Sequence, residues 1–270
     1  MRKKILIYFF LITLLLLFFI PLYVLFITSI KSTGEITSRT MWNLPKDPNI
    51  EGFVKAWGKL KGNLLNSFYL TIPATIFSAF LGSWNGYILS KWKFPGADII
   101  FTLIMFGMFI PHQSILIPLV QVLNSIGLYG SMPGLILTHV VYGIPITTLI
   151  FRNYYSGVPD ELIEAAKIDG ANVFGTYYYV MLKIALPAFA VASVYQFSSI
   201  WNDFLFALIV TQSPRVQPIT VALANLAGSY YVEWNTQMAG ALLLTIPPLL
   251  VFIFLGRFFI RGLLAGSVKG

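Results

Sequence analysis

Asp203 is the one acid set well inside an apolar run of this chain, and polar residues surround it in sequence. Gln196, Ser199 and Asp203 are spaced by three and four, which puts them on one face of a helix. Asn202 stands beside Asp203, and Tyr195 beside Gln196. At the centre of a bilayer a carboxylate costs about 2.5–3.5 kcal/mol on insertion scales, so it faces protein or water and takes a partner. Two chemistries fit Gln196, Ser199, Asn202 and Asp203. Their carboxylate, amides and hydroxyl can exchange hydrogen bonds with a ligand rich in hydroxyls, while Trp or Tyr rings stack on it. The same groups can instead form a structural cluster that ties this segment to its neighbours.

A second polar group is denser. Asp160, Glu161, Glu164, Lys167 and Asp169 interrupt two long apolar stretches. Pro159 can open a helix here, since its missing N–H is not needed in the first turn. Asp160 and Glu161 complement the positive end of that helix. Leu162, Ile163, Ala165, Ala166 and Ile168 supply apolar contacts, and Gly170 can end the helix in a left-handed cap. The spacing predicts a helix of about ten residues, too short to persist alone and in need of a groove to dock in. The alternative is an amphipathic helix lying on a membrane, but four acids against a single lysine would be repelled by anionic headgroups.

Other chemistries lack their residues. The nearest approach to a phosphate-binding loop is Gly52 to Gly58-Lys59. Its glycines are one residue too far apart, and Leu60 stands where Ser or Thr is needed. His112 and His139 lie in different apolar runs with no second ligand near in sequence, so no metal site is expected. No Ser-His-Asp set and no HExxH motif appears. With 0 cysteines there is no thiol or disulfide chemistry.

The elements that position these groups follow from composition. The chain is 57% hydrophobic and 10% charged, with a mean hydropathy of +0.78. A soluble domain carries about 25% charged residues, so much of this surface must use lipid as its solvent. The net charge of +8 does not point to nucleic acid, because Lys and Arg flank the apolar runs and form no basic stripe.

Six spans are expected, at about 5–30, 64–90, 99–123, 132–151, 184–211 and 238–255, in a single all-α transmembrane domain covering 1–270. Pro21 should kink the first. Polar segments 31–63 and 212–237 connect spans on one face, and the loop 152–183 lies on the other. Most of the 18 Lys and Arg fall on the face of the N-terminus, residues 91–98, the 152–183 loop and the tail. The positive-inside rule makes that face cytoplasmic, with both termini on it, in a cell membrane. Prolines 73, 111, 118, 145, 187, 247 and 248 and several glycines interrupt the spans, which is tolerated where neighbours or water satisfy the freed backbone groups.

The Glu164 segment resembles the EAA loop of ABC-transporter permeases. That family's pattern is E-A-A, three residues, G, nine residues, then I-x-L-P. Here it reads Glu164-Ala165-Ala166, Gly170 and Val180-Met181-Leu182-Lys183, with Asp169 and Ala171 as in sugar permeases. Lys183 replaces the usual proline; Pro187 matches a second common one. Asn153-Tyr154-Tyr155 to Pro159-Asp160-Glu161-Leu162, Ile110-Pro111 to Ile117-Pro118-Leu119, Gly127-Leu128-Tyr129-Gly130, Trp201-Asn202-Asp203-Phe204-Leu205 and the tail from Arg261 to Gly270 are similar to the maltose-type sugar-uptake subfamily. Gln217-Pro218-Ile219-Thr220-Val221-Ala222-Leu223 resembles its glucose/mannose group.

The resemblance implies the type I importer permease fold and a division of labour. Two permease subunits form the path, and this chain is one of them. An ATPase dimer binds ATP and Mg; this chain needs no cofactor and is not an enzyme. An extracytoplasmic sugar-binding protein delivers the substrate to the 212–237 side. Glu164, Ala165, Ala166, Asp169, Gly170 and Ala171 form the helix that couples to the ATPase, and the tail near Gly266–Gly270 touches it too. Uptake of another small polar solute is the alternative. An ion-coupled carrier would want several intramembrane acids and an internal repeat, and an intramembrane enzyme would want a nucleophile–base pair.

Overall fold

The computed structural model describes residues 2–92, 94–228 and 232–267, with side chains from Lys3 to Gly256 in those ranges. Helices are the only extended regular elements among the described residues. In chain order they are α1 (Arg2–Ser29), α2 (Glu51–Lys91), α3 (Ala97–Phe106), α4 (Leu116–Ser125), α5 (Met132–Ser156), α6 (Glu161–Ile168), α7 (Val173–Thr176), α8 (Leu182–Ile184), α9 (Leu186–Trp201), α10 (Leu205–Val210), α11 (Ile219–Ala227) and α12 (Trp234–Ser267).

Four helices are long and apolar enough to cross a membrane: Lys3–Ser29, Glu51–Lys91, Met132–Ser156 and Trp234–Gly256. Two bent pairs, Ala97–Phe109 with His112–Ser125 and Val173–Ile184 with Leu186–Trp201, bring the number to 6 if each is one span. The third and fifth spans are therefore broken where continuous runs were expected. The third turns by 98° at Ile110-Pro111. A residue before proline is pushed out of the helical region, and Ile110 accordingly has ψ 118°. The fifth turns by 75° at Ala185, just before Pro187. Its entry holds a π-helical turn, Tyr177–Met181. Lys183 is exposed there. A second break, at Asn202–Phe204, separates α9 from α10. In α1 the helix runs on through Pro21.

The chain divides into two compact units. The first comprises Met1–Leu64 and Ile219–Pro247. Its polar connections are well knit. Lys31 is 1% exposed, and its Nζ donates to the carbonyls of Thr40 (2.8 Å) and Met41 (3.3 Å). Burial lowers the Lys31 pKa, with Glu35 opposing the shift. Asn235, fully buried, donates to Lys31 O and to Thr33 Oγ1. Glu233 grips both Lys55 (2.9 Å) and Lys59 (3.0 Å). Those two lysines hold its carboxyl well below the usual range, at about 2. The polar segment 212–237 contains α11, which buries Ile219 and Val221.

The second unit comprises Leu65–Pro218 and Pro248–Gly270. Its axis is the later part of α2, where Ser78, Gly82 and Gly86 recur every fourth residue. Such small-residue stripes let membrane helices approach closely. A β-carbon at Gly86 would lie 2.6 Å from the backbone N of Arg152, so α5 packs directly against this stripe. Thr147 Oγ1 donates across the contact to Ser78 O (2.9 Å).

The two ends of that stretch of α2 meet different parts of the chain. Asn66 Nδ2 donates to the carbonyls of Arg215 (2.7 Å) and Gln217 (3.1 Å). Lys91 Nζ donates to Val158 O and pairs with Asp160 (2.6 Å). About 37 Å of helix separates Asn66 from Lys91 at 1.5 Å per residue, more than a hydrocarbon core of about 30 Å. Residues 215–217 and 158–160 thus sit at opposite ends of a full membrane crossing. Asp98 pairs with Arg152 (2.9 Å), which joins the start of α3 to the loop end of α5.

Candidate functional site

The loop helix α6 spans Glu161–Ile168 and is closed by sequence-coded hydrogen bonds. Ala171 N donates to Ala166 O (2.9 Å) and Gly170 N to Lys167 O (3.0 Å). These are the two bonds of a Schellman cap, and Gly170 takes the left-handed φ of +82° that the cap needs. Asn172 then starts the next helix, its Oδ1 accepting from Gly175 N (2.8 Å).

The coupling residues expected from the sequence divide between two faces. Glu164, Ala165, Asp169 and Gly170 are exposed and Ala171 is half-buried. Ala166 is buried, and so is Ile163. Only one of the two adjacent alanines therefore faces outward; the other seats the helix on its own subunit. Ile168 projects furthest, at 86% exposed, with Phe174 at 70% nearby in sequence. Neither was singled out as a contact residue from the sequence, although Ile168 was counted among the apolar positions.

The floor under α6 is aromatic. Ile163 packs in a buried cluster with Tyr87, Phe151, Tyr155 and Met181. Tyr87 donates to Val173 O (3.1 Å), and Tyr177 donates to Ser83 Oγ (3.0 Å), which also meets Tyr155 Oη at 2.7 Å. Trp84 stacks on Phe174 with centroids 4.9 Å apart. Lys167 Nζ stands 4.7 Å over the Trp92 ring, a cation–π contact. With the Lys91–Asp160 pair, these contacts seat the loop on the ends of α2 and α5. No single motif announces this floor; its tyrosines and tryptophans are spread over Trp84 to Tyr177 in the sequence.

The polar group around Asp203 forms the other feature. Gln196, Ser199 and Asp203 line one cleft of about 150 Å³, although the helix they were expected to share ends at Trp201 and Asp203 lies in the break that follows. Asn202 does not line it; its amide turns back to Ser198 O (2.8 Å). Gln196 is buried, and its amide donates to Ser78 Oγ (3.0 Å). Asp203 starts α10, accepting from Phe206 N (3.3 Å) and Ala207 N (2.9 Å). Its Oδ2 also lies 3.3 Å from His139 Nε2. The structure thus brings a histidine to the acid across 64 residues of sequence, which local spacing could not reveal. His112, Tyr142 and Phe206 complete the wall, with Tyr142 and Phe206 ring centroids 5.0 Å apart. Among the described residues no three His, Cys, Asp or Glu gather as metal ligands.

The tail proposed to touch a partner ends in Val268–Gly270, which lie outside the described residues, as do side chains beyond Gly256.

The chain is 55% identical over 168 residues to a probable ABC transporter permease protein of Pyrococcus horikoshii, a match covering 62% of this chain and 61% of that protein. It is 35% identical to an osmoprotective compounds uptake permease protein of Synechocystis, across 91% of this chain and 85% of the relative. It is 32% identical to a glucose import system permease protein of Saccharolobus solfataricus, across 93% and 91%. The fold matches a crystal structure of a bacterial ABC transporter involved in import of the acidic polysaccharide alginate. The TM-score is 0.82 at 21% identity, over 96% of both chains. The model of one family, described as the binding-protein-dependent transport system inner membrane component, matches residues 78–265, and the chain belongs to that family.

Proposed function

We propose that this chain is a membrane subunit of an ATP-driven importer for a sugar, a monosaccharide such as glucose or mannose. The observation that carries the reading is the capped helix α6, seated on the ends of two spans and presenting Glu164, Ala165, Asp169 and Ile168 outward. A helix of 8 residues with this much exposed surface is built to be held by something else. The partner is an ATPase subunit with a groove that has an apolar floor for Ile168 and a basic rim for the two acids. ATP and Mg bind in that ATPase dimer, and this chain supplies neither nucleotide ligands nor catalysis. A second permease completes the path. An extracytoplasmic sugar-binding protein delivers the sugar on the side of residues 212–237. The α6 side and both termini are cytoplasmic.

When the ATPase dimer closes on ATP, its grooves move, and α6 moves with them. The aromatic floor passes that motion to α2 and α5 without an intervening flexible loop. The sugar assignment draws on the relative named for glucose import and on the residues that resemble the glucose/mannose group. The relative named for osmoprotective compounds favours a second reading, in which the cargo is another small polar solute.

The test is assembly followed by uncoupling. The chain purified in detergent should bring an ABC ATPase and a second permease with it. In the reconstituted importer, Glu164→Lys or Gly170→Pro should abolish ATPase activity stimulated by the loaded binding protein while leaving the chain in the membrane. Normal stimulated activity in both variants would remove the coupling role.

A further inference from the structure

We infer that segment 178–186 is a docking surface for an anionic phospholipid headgroup, with Lys183 as the cation that takes its phosphate. Direction is the first argument. Tyr154 Oη, at the loop end of α5, donates to Ile184 O (2.7 Å). Gln196 Nε2 donates to Ser78 Oγ (3.0 Å), midway between Asn66 and Lys91 on α2. Helix α9 therefore runs inward from the loop-side boundary along the crossing. The stretch Val173–Ile184 meets it at 75°, so that stretch lies nearer the membrane plane than its normal. One side of the stretch is spent on the protein: Thr176 and Met181 are buried, and Met181 packs in the floor under α6. The other side carries Tyr178, Tyr179 and Lys183, all exposed, and Leu186 is exposed where α9 begins.

Charge is the second argument. In the second unit, the basic side chains described at the loop end are Lys91, Arg152, Lys167 and Lys183. Three are held within the chain. Lys91 is bound by Asp160 and Val158 O, Arg152 by Asp98 and the Phe101 ring, and Lys167 by the Trp92 ring. Lys183 makes no hydrogen bond, ion pair or ring contact with any described residue. A lysine at such a boundary lays its stem on apolar surface and carries its ammonium out to the headgroups. The Tyr178 and Tyr179 hydroxyls have no described partner either, and their rings meet edge to face at 5.2 Å. Tyrosine suits this level of a bilayer, with an apolar ring and a wet hydroxyl. Tyr179 and Lys183 stand four residues apart, the spacing of neighbours on one helix face. Ammonium and phenol together offer donors to the oxygens of a phosphate, and Leu186 offers apolar surface to its acyl chain.

The occupant is lipid and not the subunit proposed to hold α6. That groove needs a basic rim for the exposed Glu164 and Asp169, and a lysine turned to the same rim would be repelled. Anionic lipid is concentrated in the cytoplasmic leaflet, where one lysine at the surface is worth about fivefold in binding. The inference thus rests on the cytoplasmic placement of the α6 side in the importer reading, and not on the cargo.

The test uses the complete importer in phosphatidylcholine nanodiscs doped with a diazirine-bearing phosphatidylglycerol or, at equal mole fraction, the matching phosphatidylcholine. Photolabelled peptides are mapped by mass spectrometry. Residues 178–186 should take the phosphatidylglycerol label about fivefold more than the phosphatidylcholine label, and Lys183→Gln should erase that preference. Lys183→Arg, which keeps the charge, should hold it within about twofold of wild type. Added salt should weaken it. Equal labelling by the two lipids in the wild type, or a preference that survives Lys183→Gln, would overturn the site. So would the absence of either label from 178–186; a carbodiimide cross-link from Lys183 to a carboxylate of the ATPase or the second permease would then mark the segment as a subunit contact. A nanodisc presents the same lipids to both faces, so a failed site would leave the importer reading intact. Failure of that reading would show instead as the absence of an ATPase from the purified complex.

Discussion

A β-carbon at Gly143 would lie 2.0 Å from Gln196 Nε2 and 2.7 Å from Ser78 Cβ. Gly143 is therefore the space through which α9 reaches α2. Gly143→Ala should cost about 1–3 kcal/mol, the usual penalty for forcing atoms into a packed interior. A lowered thermal midpoint of the detergent-solubilised chain checks this; an unchanged midpoint would mean that Gln196 swings away freely. Gly170 is constrained by its backbone. With open space around its α-carbon, only the φ of +82° resists a side chain. Gly170→Ala should cost about 1 kcal/mol and speed amide exchange across residues 161–171, without touching the midpoint of the rest. The two glycines show what was legible at this scale. Gly170 was readable, because a cap is local and its consensus lies within the helix it ends. Gly143 was not, because its partner is 53 residues away and glycine in a span has no signature of its own.

Elements were legible as apolar runs but not as shapes. Hydropathy sees 184–211 as one stretch, while the structure breaks it where Asp203 turns to cap a new helix. A side chain that satisfies backbone donors looks the same in sequence as one that faces a cavity. The start of α2 was hidden for the opposite reason. Residues 51–63 are charged enough to read as a loop, yet Lys55 and Lys59 lie one turn apart and share Glu233. That carboxyl has its pKa depressed from 4.5 to about 2 in the folded chain. A depressed acid stabilises the fold above its unfolded pKa and loses that contribution as pH falls toward the folded value. The tie between α2 and the start of α12 should thus hold at neutral pH and weaken as pH drops below about 4.5 toward about 2. Amide exchange at residues 51–59 should report it, and Glu233→Gln should show the faster exchange already at pH 7. At the other end of α2, Lys91→Met removes the bonds to Val158 and Asp160. It should speed exchange across α6 while leaving the start of α2 as it was.

For the whole molecule, the composition had already required lipid, and the structure shows how unevenly that requirement is spread. In the apolar stretch of α1, 0% is buried by the rest of the chain, against 50% for α5. The first helix must be solvated by lipid or by another subunit, whereas α5 is held by its own chain. Alkaline carbonate should fail to strip the protein from membranes, and detergent should release it. Release by carbonate would contradict the spanning assignment. Membrane class was readable because it follows from bulk apolarity; the expected six crossings stand against four long apolar helices, or six if each bent pair is one span. The juxtaposition of His139 with Asp203, and of Lys31 with Asn235, was not, since each is made by the packing of helices that the sequence leaves unordered.

The continuous run of α2 from Asn66 to Lys91 has a mechanical meaning. A rod fastened at both ends has the geometry of a lever. One end is bolted to the acidic loop and the other to residues 215–217, so a push at either must arrive at its opposite. A tilt of roughly 10° over its length of about 37 Å carries the far tip by about 6 Å, wider than a water molecule. Any modest angular displacement at the α6 end would therefore be enlarged, by length alone, to several ångströms at residues 215–217.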